Sequence, residues 1–327
     1  MRMTKEIIKK NIFLFKNSKK NKYLKSLAIV LLFFALNYIT ITDTKICLCV
    51  VAKNENLYVR EYVEYYKKIG YNNIFIYDNN DKNGERFEEV INDYIKSGFV
   101  KIIDFRDRNK IGNPQFDAYR NCYSKNNKLY DWLSFYDMDE FLELNEKYKT
   151  IQNFLNDKIF ENCQNIKINW LFFQNSSNLY YINKPLRKRF NNSNASANFH
   201  IKSTVRGNLP SNYWENTTNP HSSKLNITSC STSGKIIQSN SPFNKPPDYS
   251  NAKLIHYNYK SFEEYCLKIK RGKADRKKDN NDKIILRNYK ILYLLNKNNT
   301  EKLKIIKKVF NDSFFNKNYK SIIYQNY

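Results

Sequence analysis

Trp132-Leu133-Ser134-Phe135-Tyr136-Asp137-Met138-Asp139-Glu140-Phe141-Leu142 is an aromatic-rich apolar run that ends abruptly in acid and then turns apolar again. The first part suits a buried strand, and the acids mark the point where that strand leaves the core. The same grammar recurs upstream. Lys45-Ile46-Cys47-Leu48-Cys49-Val50-Val51-Ala52 is continuously apolar after its first residue, as a strand buried on both faces must be, and it runs into Lys53-Asn54-Glu55. Residues 57–69 place Val59, Tyr62, Val63, Tyr66 and Ile69 at helical spacing, and Gly70 supplies a stop. Asn73-Ile74-Phe75-Ile76-Tyr77 then runs into Asp78-Asn79-Asn80-Asp81. A helix is expected over 85–96, a strand over 100–105 and a helix over 114–124.

Strands alternating with helices predict an α/β fold, a Rossmann-like, mostly parallel sheet with helices on both faces. Ligands of such sheets sit beyond the carboxyl ends of the strands. That rule makes Asn54, Glu55, Asp78, Asn79 and Asp137 candidate ligand contacts, because each stands at such an end. One more strand is expected over 166–173. The Asn/Ser-rich stretch from 174 to about 249, punctuated by prolines, reads as long loops laid over the sheet edge, and 261–327 as Lys-rich amphipathic helices.

Across 327 residues, 41% are hydrophobic, which excludes a disordered chain. The formal charge of +25 is spread along the chain rather than gathered in one patch, and no helix-turn-helix, zinc-finger or RRM signature accompanies it. A nucleic-acid partner is therefore not expected. The six cysteines form neither a CxxC pair nor a dense framework; Cys47 and Cys49 read as small hydrophobes on one strand face, and pairing among the later ones stays open.

The amino terminus reads as an address. Residues 1–25 hold nine basic side chains against the single acid Glu6, and 26–42 carry no charge. A span of about 17–25 apolar residues can cross a bilayer, so 1–25 is expected to be a cytosolic tail and 26–42 a transmembrane signal-anchor. The positive-inside rule then places the rest across the membrane, as a single-pass type II protein of the secretory pathway (Golgi or ER), its catalytic domain lumenal. Asn-X-Ser/Thr sequons between Asn175 and Asn311 accord with that side.

Two aspartates at i and i+2 on a strand project to one side, so Asp137 and Asp139 are expected to face one cation. Hard oxygen ligands select Mg²⁺ or Mn²⁺, ions commonly shared with substrate phosphates. Of the three histidines, His256 closes the strand-like Lys253-Leu254-Ile255. Lys268 and Arg271 stand three apart on an expected helix, where one face can reach a diphosphate.

Val51-Ala52-Lys53-Asn54-Glu55, Glu61-Tyr62-Val63-Glu64-Tyr65-Tyr66, Gly70 and Tyr77-Asp78-Asn79-Asn80 begin a series of motifs. The series continues through Gln115, Ala118-Tyr119, Cys122, Asp137-Met138-Asp139-Glu140-Phe141, Trp170-Leu171-Phe172-Phe173, Lys202-Ser203-Thr204-Val205, Pro220-His221, His256-Tyr257 and Lys268 to Arg271-Gly272. Over residues 45–275 this order resembles glycosyltransferase family 92. The resemblance implies a GT-A fold over 43–275, with 276–327 a helical extension. It also implies a UDP-sugar donor with galactose as one choice, a glycan acceptor, a divalent metal with His256 as its candidate third ligand, and inversion at the anomeric carbon. Gln174-Asn175-Ser176-Ser177 and Arg206-Gly207 depart from the family pattern, and both are expected on the acceptor side. Inverting transfer needs a base at the acceptor hydroxyl; Glu215 and Asp248 are the candidates. The alternative reading is a catalytically inactive GT-A domain that binds glycans.

Overall fold

The computed structural model describes residues 44–106, 113–173, 178–190, 195–215, 219–221, 225–238, 241–272 and 278–310. The chain divides into a unit of residues 1–45 and a unit of residues 46–327, and the strands and helices named below belong to the second. The expected tail and anchor, 1–25 and 26–42, lie outside the described residues. Among those described, no helix is long and apolar enough to cross a membrane.

Strand β1 (Ile46–Ala52) is buried along its whole length and lies between β2 (Asn73–Asp78) and β4 (Trp132–Phe135), parallel to both. Its alternating side chains feed two cores. Ile46, Leu48, Val50 and Ala52 pack with helix α1 (Asn56–Lys68), while Cys47, Cys49 and Val51 pack with the helix between β3 and β4. Strand β3 (Val100–Asp104) pairs parallel with β2, with α2 (Glu88–Lys96) leading into it. That second-face helix, α3 (Pro114–Asn126), starts with Pro114 at its first turn and Asn113 accepting from the Gln115 and Phe116 backbone N–H groups. Helices therefore cover both faces, as the alternation requires.

Beyond β4 the sheet becomes mixed. Strand order is β3-β2-β1-β4-β7-β6-β10-β5, where β5 is Glu140–Leu144, β6 Asn165–Phe173, β7 Ala195–Arg206 and β10 Ala252–His256. The β4–β7, β7–β6 and β10–β5 pairings are antiparallel. The mostly parallel expectation thus gives way to a mixed sheet. The cause is β7, a 12-residue strand inside the stretch read as loops. Its Lys202-Ser203-Thr204 segment is polar yet fully buried, which conceals the strand from hydrophobic periodicity.

Two disulfides staple this framework. Cys49–Cys122 ties β1 to α3, so Cys49 is not the lone hydrophobe expected, and Cys163–Cys230 ties the approach to β6 to the short strand β8 (Ser229–Cys230). At the end of β7, Gly207 meets the 127–131 turn so closely that a Cβ there would lie 2.0 Å from the Tyr130 carbonyl oxygen. Helix α6 (Phe262–Arg271), helix α7 (Lys278–Asn296) and a last helix over 300–310 share an apolar cluster of Cys266, Ile269, Tyr289, Leu292, Ile306 and Phe310. Residues 278–310 are therefore packed against the domain rather than appended to it at 275.

Glu264 anchors α6 from below. Arg189 grips it with two bonds of 2.7 and 2.8 Å, Tyr58 donates to it at 2.6 Å, and the Ser261 backbone N–H donates at 2.9 Å in a capping box. Burial alone would raise this carboxyl, but Arg189, Ser261 and Tyr58 hold it at about 2, against an ordinary 4.5. A carboxyl depressed on folding contributes stability above its unfolded value, and that contribution fades as pH falls from about 4.5 towards about 2. The shift corresponds to about 3 kcal/mol. Glu264→Gln should lose about that much in urea denaturation at pH 7, and the gap from the parent protein should shrink steadily when the titration is repeated at pH 4 and pH 3.

Candidate functional site

The ends of β1, β4 and β10 converge with α6 on one cavity of about 410 Å³, whose walls include Asp137, Asp139, Lys202, His221, His256 and Lys268. Local chemistry explains each placement. Asn54 takes a left-handed conformation, φ 51°, which Asn tolerates better than most residues. Its N–H reaches the Asn80 side chain at 2.7 Å, so the ends of β1 and β2 are laced together. Asp137-Met138-Asp139 is a turn between β4 and β5, not a continuation of the strand. The two carboxylates consequently do not share one direction. Their partners are different cations.

Asp137 is clamped from two elements. Gln115, at the start of α3, donates to its Oδ1 at 2.9 Å, and Lys202 of β7 stands 2.8 Å from its Oδ2. The Lys202 side chain is 1% exposed and also lies 3.6 Å from Glu140 Oε1, so one buried ammonium serves two acids. Glu140 Oε2 accepts from the Asp137 backbone N–H at 2.8 Å, which shapes the turn itself. Burial pushes the Glu140 carboxyl well up. Burial opposes ionisation of Asp137 too, yet Lys202 leaves it lowered.

Asp139 is held from the other side. The antiparallel register of β10 on β5 sets His256 opposite Glu140, and the Tyr257 N–H donates to the Asp139 carbonyl at 2.9 Å. His256 Nε2 thereby comes within 3.4 Å of Asp139 Oδ1, while Lys268 Nζ lies 2.8 Å from Oδ2. Burial would raise Asp139, but Lys268 and then His256 hold it well below the usual carboxylate range. Burial keeps His256 low, hence neutral. Arg271, one turn beyond Lys268, pairs with Glu55 and donates to the Lys53 carbonyl at 2.7 Å. Lys260 Nζ completes this cluster 3.7 Å from Glu55.

All three histidines gather round one indole: the rings of His200, His221 and His256 lie 4.9, 5.4 and 4.4 Å from Trp170. His221 Nδ1 donates to the Ile201 carbonyl at 2.8 Å, and burial lowers its pKa to about 3. It is a neutral hydrogen-bonding group, with its Nε2 lone pair free of that bond.

Among the expected site residues, Glu55, Asp137, Asp139, His256, Lys268 and Arg271 line this cavity. Asn54 lines an adjoining one of about 390 Å³ that shares Glu55, Lys268 and Arg271. Asp78 does not line it: Arg106 at 2.6 Å and the Asn80 N–H at 2.9 Å occupy its oxygens, and it is 2% exposed. Asn79 is buried beside it, its N–H bonded to the Ala52 carbonyl. Both correct the expectation of direct ligand contacts, since they hold loops together instead. Asp248 caps its own loop through the Ser233 and Ser250 N–H groups, each at 2.9 Å. Glu215 lines a separate concavity with Asp117 and Arg120. Neither candidate base reaches the cavity.

Among the described residues no three His, Cys, Asp or Glu side chains form a ready cation cage, and the Asp137 oxygens are bonded to Gln115 and Lys202. Asp139 and His256 remain. Donors on an octahedral ion, each about 2.1 Å away, are about 3 Å apart, and the 3.4 Å Asp139–His256 separation approaches that spacing. A deprotonated carboxylate beside a neutral imidazole also has the right chemistry.

Comparison with known proteins adds the family. The family model described as Glycosyltransferase family 92 matches residues 43–304. A rice (Oryza sativa subsp. japonica) glycosyltransferase family 92 protein is 31% identical over 96 residues, 29% of this chain and 16% of its own. A Ricinus communis protein of the same description is 29% identical over 100 residues, 31% of this chain and 17% of its own. The matched segment thus spans about a sixth of these relatives. Among solved structures, S. aureus TarS 1-349 in complex with UDP is similar at a TM-score of 0.36 and 12% identity, covering 83% of this chain and 72% of that one.

The buried ammonium sets a test that needs no substrate. Lys202→Ala leaves Asp137 and Glu140 without their shared cation, and removing one partner of a buried pair typically costs about 3–5 kcal/mol. Adding Glu140→Gln should recover part of that loss, so the two changes should be non-additive in a double-mutant cycle read by urea denaturation.

Proposed function

The chain belongs to glycosyltransferase family 92, and from that premise we propose that it is a GT-A glycosyltransferase moving a hexose from a UDP-sugar to an acceptor glycan. The observation that carries the reading is the Asp139–His256 pair, flanked by Lys268 and Arg271, at the carboxyl ends of the strands. In the reaction the bond between the anomeric carbon and the diphosphate oxygen breaks, its electron pair leaving with the nucleotide. The acceptor oxygen bonds to the opposite face of that carbon and loses its proton.

Asp139 and His256 are the residues that would hold Mn²⁺ or Mg²⁺, whose contribution is Lewis-acid neutralisation of the leaving diphosphate. Asp137, half-exposed and oriented by Gln115 and Lys202, would accept from a donor hydroxyl such as those of the ribose. Arg271 and Lys268 would receive the phosphate oxygens. Trp170 and His221 also line the cavity, and the acceptor would enter beside them, with His221 Nε2 free to accept a hydroxyl hydrogen bond. The choice of galactose, and placement as a type II protein in a Golgi or ER membrane, belong to the same proposal; they rest on the family and on segment 26–42.

Asp139→Ala should lower nucleotide release about 10²-fold or more, the usual cost of removing a group that stabilises charge developing in the transition state. The full chain in detergent, given a panel of UDP-sugars and released glycans with Mn²⁺ or with excess EDTA, provides the assay. Undiminished turnover in the variant or in EDTA would rule out the metal assignment. Binding of UDP without any turnover would select the inactive, glycan-binding alternative.

A further inference from the structure

Lys268 stands where positive charge is wanted by Asp139. Its Nζ is 2.8 Å from Asp139 Oδ2, 2.6 Å from Asn258 Oδ1 and 3.2 Å from the Asn258 carbonyl. An ammonium has three donors, and these three acceptors use them all. The carboxylate oxygen on the opposite side of Asp139 faces His256 Nε2 at 3.4 Å. One carboxylate is thus divided between an ammonium and an imidazole nitrogen.

We propose that Lys268 is an exchangeable counter-ion: it holds the Asp139 carboxylate until a divalent ion and a diphosphate arrive together, then passes from the carboxylate to the diphosphate. This rests on the metal-dependent reading above and adds a prediction of binding order to it.

Three features support the exchange. First, the backbone that carries Lys268 is fixed, so the exchange belongs to the side chain. Helix α6 is pinned by its capping box and by the Arg189–Glu264 pair, and a lysine stem of four methylenes is flexible enough to swing. Second, Lys268 has somewhere to go. It lines both the main cavity and the adjoining one, and Asn258 retains two of its three bonds when the Asp139 contact is given up. Third, electrostatics make the two ligands depend on each other. A divalent ion arriving alone meets an ammonium already on its ligand and is repelled. A diphosphate arriving alone meets Asp139 and Glu55, with Lys268 and Arg271 already committed to them. Together, the ion releases Lys268 and the diphosphate receives it. Such coupling must be reciprocal: each ligand strengthens the other by the same factor.

The test is a binding cycle on the full chain in detergent, with free Mn²⁺ read by electron paramagnetic resonance and UDP by calorimetry. Lys268→Met keeps the stem and removes the charge; Lys268→Arg keeps the charge and serves as the folding control. The expected result is about tenfold tighter Mn²⁺ binding to Lys268→Met in the absence of UDP, weaker UDP binding in the presence of Mn²⁺, and a collapsed coupling between the two. Lys268→Arg should bind Mn²⁺ alone as weakly as the parent protein. Equal or weaker Mn²⁺ binding by a folded Lys268→Met overturns the exchange while leaving the metal site standing. No Mn²⁺ binding by any of the three proteins, with or without UDP, overturns the metal reading and the exchange with it.

Discussion

A buried lysine beneath an acidic turn is the constraint on which the rest of this structure depends. Lys202 has no solvent to fall back on, and its two partners, Asp137 and Glu140, sit on either side of the turn. Removing one partner of such a buried pair typically costs about 3–5 kcal/mol, which strongly favours forming the group whole. Meeting that condition requires β7 to run between β4 and β6, antiparallel to both. The change from a parallel to a mixed sheet is thus the backbone counterpart of one charge cluster. The half of the domain after β4 is organised around the acidic turn as much as around hydrophobic burial.

Charge balance at the cavity follows the same logic. Glu55, Asp137 and Asp139 are set against Arg271, Lys202 and Lys268, each carboxylate with a cation within 4 Å. The histidines contribute little, since burial keeps His256 and His221 neutral. A diphosphate entering this closed network brings excess negative charge, and a divalent ion brings a matching excess of the opposite sign. Two ligands that each disturb the balance alone restore it as a pair. The large positive charge of the chain as a whole therefore says little about the cavity, whose cations are already spoken for.

The strand-end logic is legible in the sequence because it depends on local pattern. The apolar run of β1, the helical spacing of α1 and the acid-terminated β4 are each contiguous and periodic, and the cavity lies at the ends that they predict. What stays hidden is long-range. Asp78 stands at a strand end like Glu55, but Arg106, 28 residues away, turns it into a loop tie. Nothing local separates those two acids. Lys202 stands in a family-like motif without showing its role there, because a lysine followed by Ser and Thr reads as surface until its strand is known to be interior. Gln115 could have been found from its place one residue after the helix-starting Pro114, where a side chain projects back towards the strand ends.

The departures from the family pattern do not all concern the acceptor. Arg206-Gly207 falls at the opposite end of β4 from the acidic turn: Arg206 is in register with Trp132, its guanidinium lies 4.4 Å from that indole ring, and it donates to the Cys163 and Phe160 carbonyls. Gly207 follows because the Tyr130 and Asn127 carbonyls leave no room for a side chain. That departure is a solution to packing at the base of the sheet. Gln174-Asn175-Ser176-Ser177, which falls outside the described residues, follows directly on β6, the strand that carries Trp170 to the wall shared by the three histidines. Residues 206–207 lie at the base of the sheet, away from that wall. Differences in acceptor preference between this chain and its relatives should accordingly be sought beyond Phe173 and around Pro220-His221.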